Sequence, residues 1–202
     1  MISRPRHGTH RKVILAASVL LAGAVTAPVA HAAPGSTEAP GAGGQPRHCT
    51  LDLATGAEHC YATFTEAVDH ASEGRIDDAP ASARTATGDS GFRAEVERLA
   101  DEDGARADGV IQGTFFDDTG FGGDSLTISG EGLCEKDGWV DYQHDLEDGW
   151  KNRISSVQPW GNCWIWLYPE PGLGGDRDGP FKENTGDIGD FMNDRTQSIG
   201  FS

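Results

Sequence analysis

Between Val110 and the end of the chain, short apolar runs alternate with turn-forming clusters. "TFF", "SLTI", "SSVQPW", "CWIWLY" and "QSIGF" are β-branched and aromatic, and Gly/Asp-rich stretches separate them. Several short strands at this spacing predict an all-β sandwich. The upstream pattern differs. Leu51 and Leu53 alternate with polar neighbours, and Thr55-Gly56 follows, which predicts a β-hairpin over Cys49–Tyr61. A two-residue turn at Ala54-Thr55 sets Cys49 opposite Cys60, whereas a three-residue turn ending at Gly56 slips the pairing by one. Thr63-x-x-Glu66 then forms a capping box, Phe64, Ala67, Val68 and Ala71 share one helical face, and Gly74 stands at the C-terminal cap position.

From Ala79 to Gly109 the chain returns to Ala, Asp, Arg and Gly, with Phe92, Val96 and Leu99 marking one short amphipathic helix from about Ser90. The expected organisation is therefore a leader over 1–32, a tether over 33–47, a hairpin–helix mini-module over 48–78, a linker with one short helix over 79–108, and a β domain over 109–202. The leader reads as a signal peptide. Arg4, Arg6, Arg11 and Lys12 precede the apolar run "VILAASVLLAGAV", and Ala30-His31-Ala32 supplies a small-x-small cleavage pattern. That run is too short to span a bilayer, so a secreted, extracellular product without a retained anchor is expected. "APGSTEAPGAGGQPR" has the composition of a flexible tether.

Charge narrows the partners. Of 16 Lys+Arg and 32 Asp+Glu, four basic residues leave with the leader, so 12 bases face 32 acids and the mature net charge is −20. Such a chain repels phosphates, which argues against nucleic acid and anionic lipid as partners. Cys49, Cys60, Cys134 and Cys163 all lie beyond the leader. An even number in an exported chain reads as two disulfides, and four cysteines permit three connectivities. Cys134 and Cys163 are expected to bridge the two halves of the β domain. Zinc is the alternative, because His48 and His59 each precede a cysteine, but the tight Cys-x(2–4)-Cys spacing of zinc sites is absent.

The β region repeats itself. "FDDTGFGGDSLT" (Phe116–Thr127) and "YPEPGLGGDRDG" (Tyr168–Gly179) share an aromatic, a large apolar residue and Gly-Gly-Asp at one spacing, while "NRISSV" (Asn152–Val157) answers "DRTQSI" (Asp194–Ile199). A phosphate loop needs glycines that lead into a helix, and these lead into strand-like sequence beside Asp117, Asp118, Asp124, Asp176 and Asp178. A folded hairpin suits them instead, since glycine tolerates positive φ.

Phe116-x4-Phe121-x-Gly123 and Tyr168-x4-Leu173-x-Gly175 resemble the signature turn of the βγ-crystallin Greek keys, and Ser156 and Ser198 match the serines that tie down that turn. Leu173 departs from the usual aromatic. The resemblance covers about Gly109 to Ser202 and implies two four-stranded Greek keys packed as one sandwich. It also implies calcium at Asn/Asp-Asn/Asp-x-x-Ser/Thr-Ser, with each site shared between the copies. Here the stretches read Lys151-Asn152-Arg153-Ile154-Ser155-Ser156 and Asn193-Asp194-Arg195-Thr196-Gln197-Ser198, so each departs at one slot. The implied better site joins Asp194 and Ser155 with the carbonyls of Asp117 and Arg153, and the poorer one joins Asn152 and Gln197. "CWIWLY…GLGGD…TGDIGDFMNDRTQSIGFS" is also similar to small secreted bacterial metalloproteinase inhibitors, which implies an extracellular protease as partner.

Catalysis finds little support. "GDSG" (Gly88–Gly91) with His48 lacks the surroundings of a serine-protease triad, and neither His70 nor His144 has a partner constellation in the sequence. A non-enzymatic binding or structural protein is expected. Trp160, Trp164, Trp166 and Tyr168 either pack in the core or form an open aromatic face.

Overall fold

The structure is a computed structural model that describes residues 45–104 and 109–202. The leader and most of the tether lie outside the described residues. Nine strands and three helices follow in the order β1 (His48–Asp52), β2 (Ala57–Tyr61), α1 (Phe64–Ala71), α2 (Ala83–Gly88), α3 (Ser90–Gly104), β3 (Val110–Asp118), β4 (Gly122–Gly130), β5 (Tyr142–Asp145), β6 (Ser156–Pro159), β7 (Ile165–Tyr168), β8 (Asp178–Phe181) and β9 (Ser198–Phe201). They form two sheets, β2-β1-β4-β3-β6 and β5-β9-β7-β8. Phe115, Leu126, Ile128, Val157, Ile165, Leu167, Ile199 and Phe201 fill the space between the sheets, as alternate residues of facing strands should.

The sheets are knit by exchange. β5 lies in the first copy yet pairs with β9 of the second, with His144 opposite Ile199. In return Thr185 of the second copy forms an isolated antiparallel bridge to Val157 of β6. A two-fold pattern runs through the connecting loops. The Asn152 N–H donates to the Thr196 carbonyl at 2.8 Å and the Asp194 N–H to the Ile154 carbonyl at 3.1 Å. The Leu146 N–H reaches the Gln197 carbonyl at 2.9 Å and the Ile188 N–H the Ser155 carbonyl at 3.2 Å.

The hairpin falls in the register that sets Cys49 opposite Cys60, closed by a four-residue loop rather than a two- or three-residue one. Asp52 steadies that loop by accepting from the Ala54 N–H and the Thr55 hydroxyl. β1 does not stand apart from the β domain: it pairs in parallel with β4, from His48–Ser125 to Asp52–Ser129. Parallel neighbours need a long crossover, and the helices supply it. α1 carries the capping box, and Phe64, Ala67, Val68 and Ala71 are its buried residues.

The segment from 79 to 104 is more than a linker with one helix. α2 and α3 bury Ala83, Ala86, Phe92, Val96 and Leu99 with Phe64, Val68, Phe116 and Trp160. They cover a sheet face that also carries Thr114, Thr127 and Gln158, all buried. Small alanines allow the close approach that their weak apolar character conceals in the sequence. Both disulfides form, Cys49–Cys60 and Cys134–Cys163.

Candidate functional site

Each glycine bend is held by a serine from further along its own copy. The Ser156 hydroxyl donates to the Asp118 carbonyl at 2.8 Å and accepts the Phe121 N–H at 3.1 Å. Ser198 donates to the Glu170 carbonyl at 2.6 Å and accepts the Leu173 N–H at 3.0 Å. The bends need left-handed backbone: Phe121 and Leu173 have φ of 62° and 60°, Gly123 and Gly175 of 71° and 78°. At Gly123 a Cβ would stand 2.0 Å from Asp117 Oδ1, so glycine is required there for space as well as for φ. Phe116 packs edge-on to Phe121 at 5.6 Å, closing the first bend over its own strand.

The serine latches bring the preceding residues of each copy to a shared seam. Ser155 Oγ lies 3.4 Å from Asp194 Oδ1, a contact made across the two copies. Asp194 has φ of 55° and its copy-related residue Asn152 has φ of 57°. Asp194 Oδ2 accepts from Asn193 Nδ2 at 3.1 Å, while Asn193 Oδ1 and Thr196 Oγ1 are buried without a hydrogen-bond partner. This donor set is all oxygen: a carboxylate, a hydroxyl, and two orphaned oxygens in the same loop. It fits a hard cation such as calcium, which draws its ligands from carboxylates, hydroxyls and carbonyls.

The copy-related position is built differently. No hydrogen bond joins the side chains of Asn152 and Gln197, and Lys151 next to them donates to Asp148 at 2.8 Å. Nearby, the carboxylate of Asp117 is engaged by the chain's own cation. Arg153 Nη2 lies 2.5 Å from Asp117 and 2.9 Å from Asp124, with Nη1 donating to the Gly149 carbonyl. Burial pushes the Asp117 carboxyl up, and the ion pair to Arg153 opposes this without reversing it. Burial also works against the charge on Arg153, but bonds to Asp124 and Asp117 outweigh it and hold the guanidinium protonated. The sequence gives no signal for this clamp, because Arg153 sits in a slot that the motif leaves unspecified.

Other groups resolve plainly. Cys49, Glu58 and Cys60 come within 4.8 Å of one another. Both sulfurs are consumed in their disulfide, so only the Glu58 carboxylate keeps ligating capacity. The imidazole of His48 is engaged by Ser125. Its Nδ1 lies 2.8 Å from Ser125 Oγ, and Ser125 is wholly buried, out of reach of any substrate. Ser90 opens α3 beside Asp89, whose carboxylate accepts from the Gly91 and Phe92 N–H groups. Trp160 is core, donating to Thr114 Oγ1 under α3. Trp166 and Trp164 are capped by Arg177 at 3.8 Å and Lys182 at 3.6 Å, so no open aromatic platform remains on that face.

No family model matches this chain, and no curated protein matches it. Solved structures do. A βγ-crystallin domain from Clostridium beijerinckii is 16% identical, with 45% of this chain and 95% of that one covered and a TM-score of 0.36. The N-terminal domain of protein S is 20% identical, covering 45% and 94%, with a TM-score of 0.34. A βγ-crystallin domain from Flavobacterium johnsoniae is 18% identical, covering 45% and 92%, with a TM-score of 0.34.

Proposed function

We propose that this chain is an exported, non-catalytic double Greek-key protein that holds one calcium ion at the seam between its copies. The observation that carries the reading is the Ser155–Asp194 contact across the copies. Asp194 and Ser155 supply the side-chain ligands, with the Asp117 and Arg153 carbonyls completing the set, while Asn152 and Gln197 contribute no comparable pair. A bound cation would crosslink the two loops, adding stability to an arrangement that backbone hydrogen bonds already define.

Export is supported by the leader-like first 32 residues and by two disulfides, which persist in oxidising compartments. No helix among the described residues is long and apolar enough to cross a membrane. Calorimetric titration of calcium into the protein tests the reading. One binding event that is lost in Asp194→Ala is expected, and no heat at millimolar calcium would end it.

A second reading, inhibition of an extracellular metalloprotease, is favoured by one feature. Trp139 is 77% exposed on a loop that begins at the Cys134–Cys163 disulfide. A covalently anchored loop with a projecting aromatic suits insertion into a partner's cleft. Titration against secreted metalloproteases should then show stoichiometric loss of activity, abolished in Trp139→Ala.

A further inference from the structure

We propose that His59 and His70 form a binding site for a borderline transition cation of the Zn(II) class, at the junction of the hairpin with α1 and apart from the calcium seam. The rings come from different elements, β2 and α1, and their centroids lie 4.9 Å apart at an interplanar angle of 59°. Both line a cavity of about 500 Å³ whose other charged walls are Asp52, Glu73 and Glu131. Two imidazoles among three carboxylates make a donor set that a zinc-like ion prefers and that calcium, which takes oxygen ligands, does not.

The surroundings prepare His70 for this role. Its Nδ1 lies 3.1 Å from Thr50 Oγ1, and that hydroxyl in turn points to the His59 carbonyl at 3.5 Å. The hydroxyl has one proton. Given to the carbonyl, it leaves Thr50 to accept from His70 Nδ1–H, which puts the free lone pair on Nε2. A hydrogen-bonding partner that fixes the tautomer and ring orientation is the usual companion of a metal-binding imidazole. His59 is held in place by the strand register next to the Cys49–Cys60 bridge. Glu73 follows α1 by two residues on the cavity wall. Its side chain is 69% exposed and makes only a long 3.9 Å ion pair with Arg75, from which a bound cation would draw it as a third ligand, with water completing a tetrahedral set.

Zinc chloride titrated into the full chain, with calcium in excess, tests this independently of the seam. Expected is a zinc-binding event retained in Asp194→Ala and at least about tenfold weaker in His70→Ala and in His59→Gln, since even loss of a group that only orients a ligand costs about 10–100-fold. Cobalt(II) should give visible absorption bands in the wild-type protein that fade in both variants. His59 is an exposed strand position, so His59→Gln gives the answer even if His70→Ala disturbs α1. Unchanged zinc isotherms in a folded His59→Gln protein overturn the proposal.

Discussion

Phe121 donates its backbone N–H to the hydroxyl of Ser156, 35 positions away, at 3.1 Å. The bend therefore depends on a side chain from the last strand of its copy, and Ser198 repeats the arrangement with Leu173. Ser156→Ala or Ser198→Ala leaves a hydroxyl's partners unmade at a nearly closed site. Each should cost about 1–3 kcal/mol of unfolding free energy, read as a lower urea midpoint.

Calcium should raise the melting temperature of the wild-type protein over that in chelator, because a ligand bound only to the folded state stabilises it, by about 2.7 kcal/mol at a hundredfold excess over Kd. Asp194→Ala should abolish the shift and Asn152→Ala should preserve it. Equal shifts in all three proteins would place the ion elsewhere.

The helical layer is bound into the core. Phe92 packs edge-on against Phe64 at 6.1 Å and Trp160 at 5.9 Å. Phe92→Ala should destabilise the whole protein by about 3–5 kcal/mol, in a single transition. A separate early melt of the N-terminal region with the β domain unaffected would refute this.

Acidification should destabilise the protein through His48. Burial lowers its pKa below the ordinary value of 6.5, and Asp124 only partly offsets this. Burial lowers His144 as well. The unfolded chain then binds more protons than the folded one as pH falls below about 6.5, so stability falls from there through the folded pKa. His48→Gln, which cannot titrate, should flatten the dependence of melting temperature on pH between 8 and 5.

The disulfide Cys134–Cys163 closes a separation of 29 residues. Its removal as a Cys→Ala pair should cost about 3–4 kcal/mol in the chain-entropy model, measured by denaturant titration.

How much of this was legible follows from where each signal resides. The glycine bends and α1 announce themselves because turn chemistry and capping act within a few residues: Thr63 and Glu66 are neighbours in sequence and in space. β5 does not. It hides in the acidic stretch "DYQHDLEDG" because its hydrogen-bond partner is β9, more than fifty residues on. The parallel pairing of β1 with β4 leaves no local trace either, since its register is set by residues 77 apart. Among site residues, Ser155 and Asp194 were legible only through the exchange that the family resemblance implies. The Arg153 clamp on Asp117 and Asp124 and the His59–His70 pair were not, because each joins side chains from separate elements.

The pairing of β5 with β9 bears on how the molecule responds to proteolysis. A protease that nicks the turn at Gly161-Asn162 severs the backbone between the copies, yet β5 stays hydrogen-bonded to β9 and the Cys134–Cys163 disulfide keeps the two fragments covalently joined. Neither fragment can depart without stripping a strand from the other's sheet. The cut protein should therefore run as one species in a native gel and separate only when reduced and denatured.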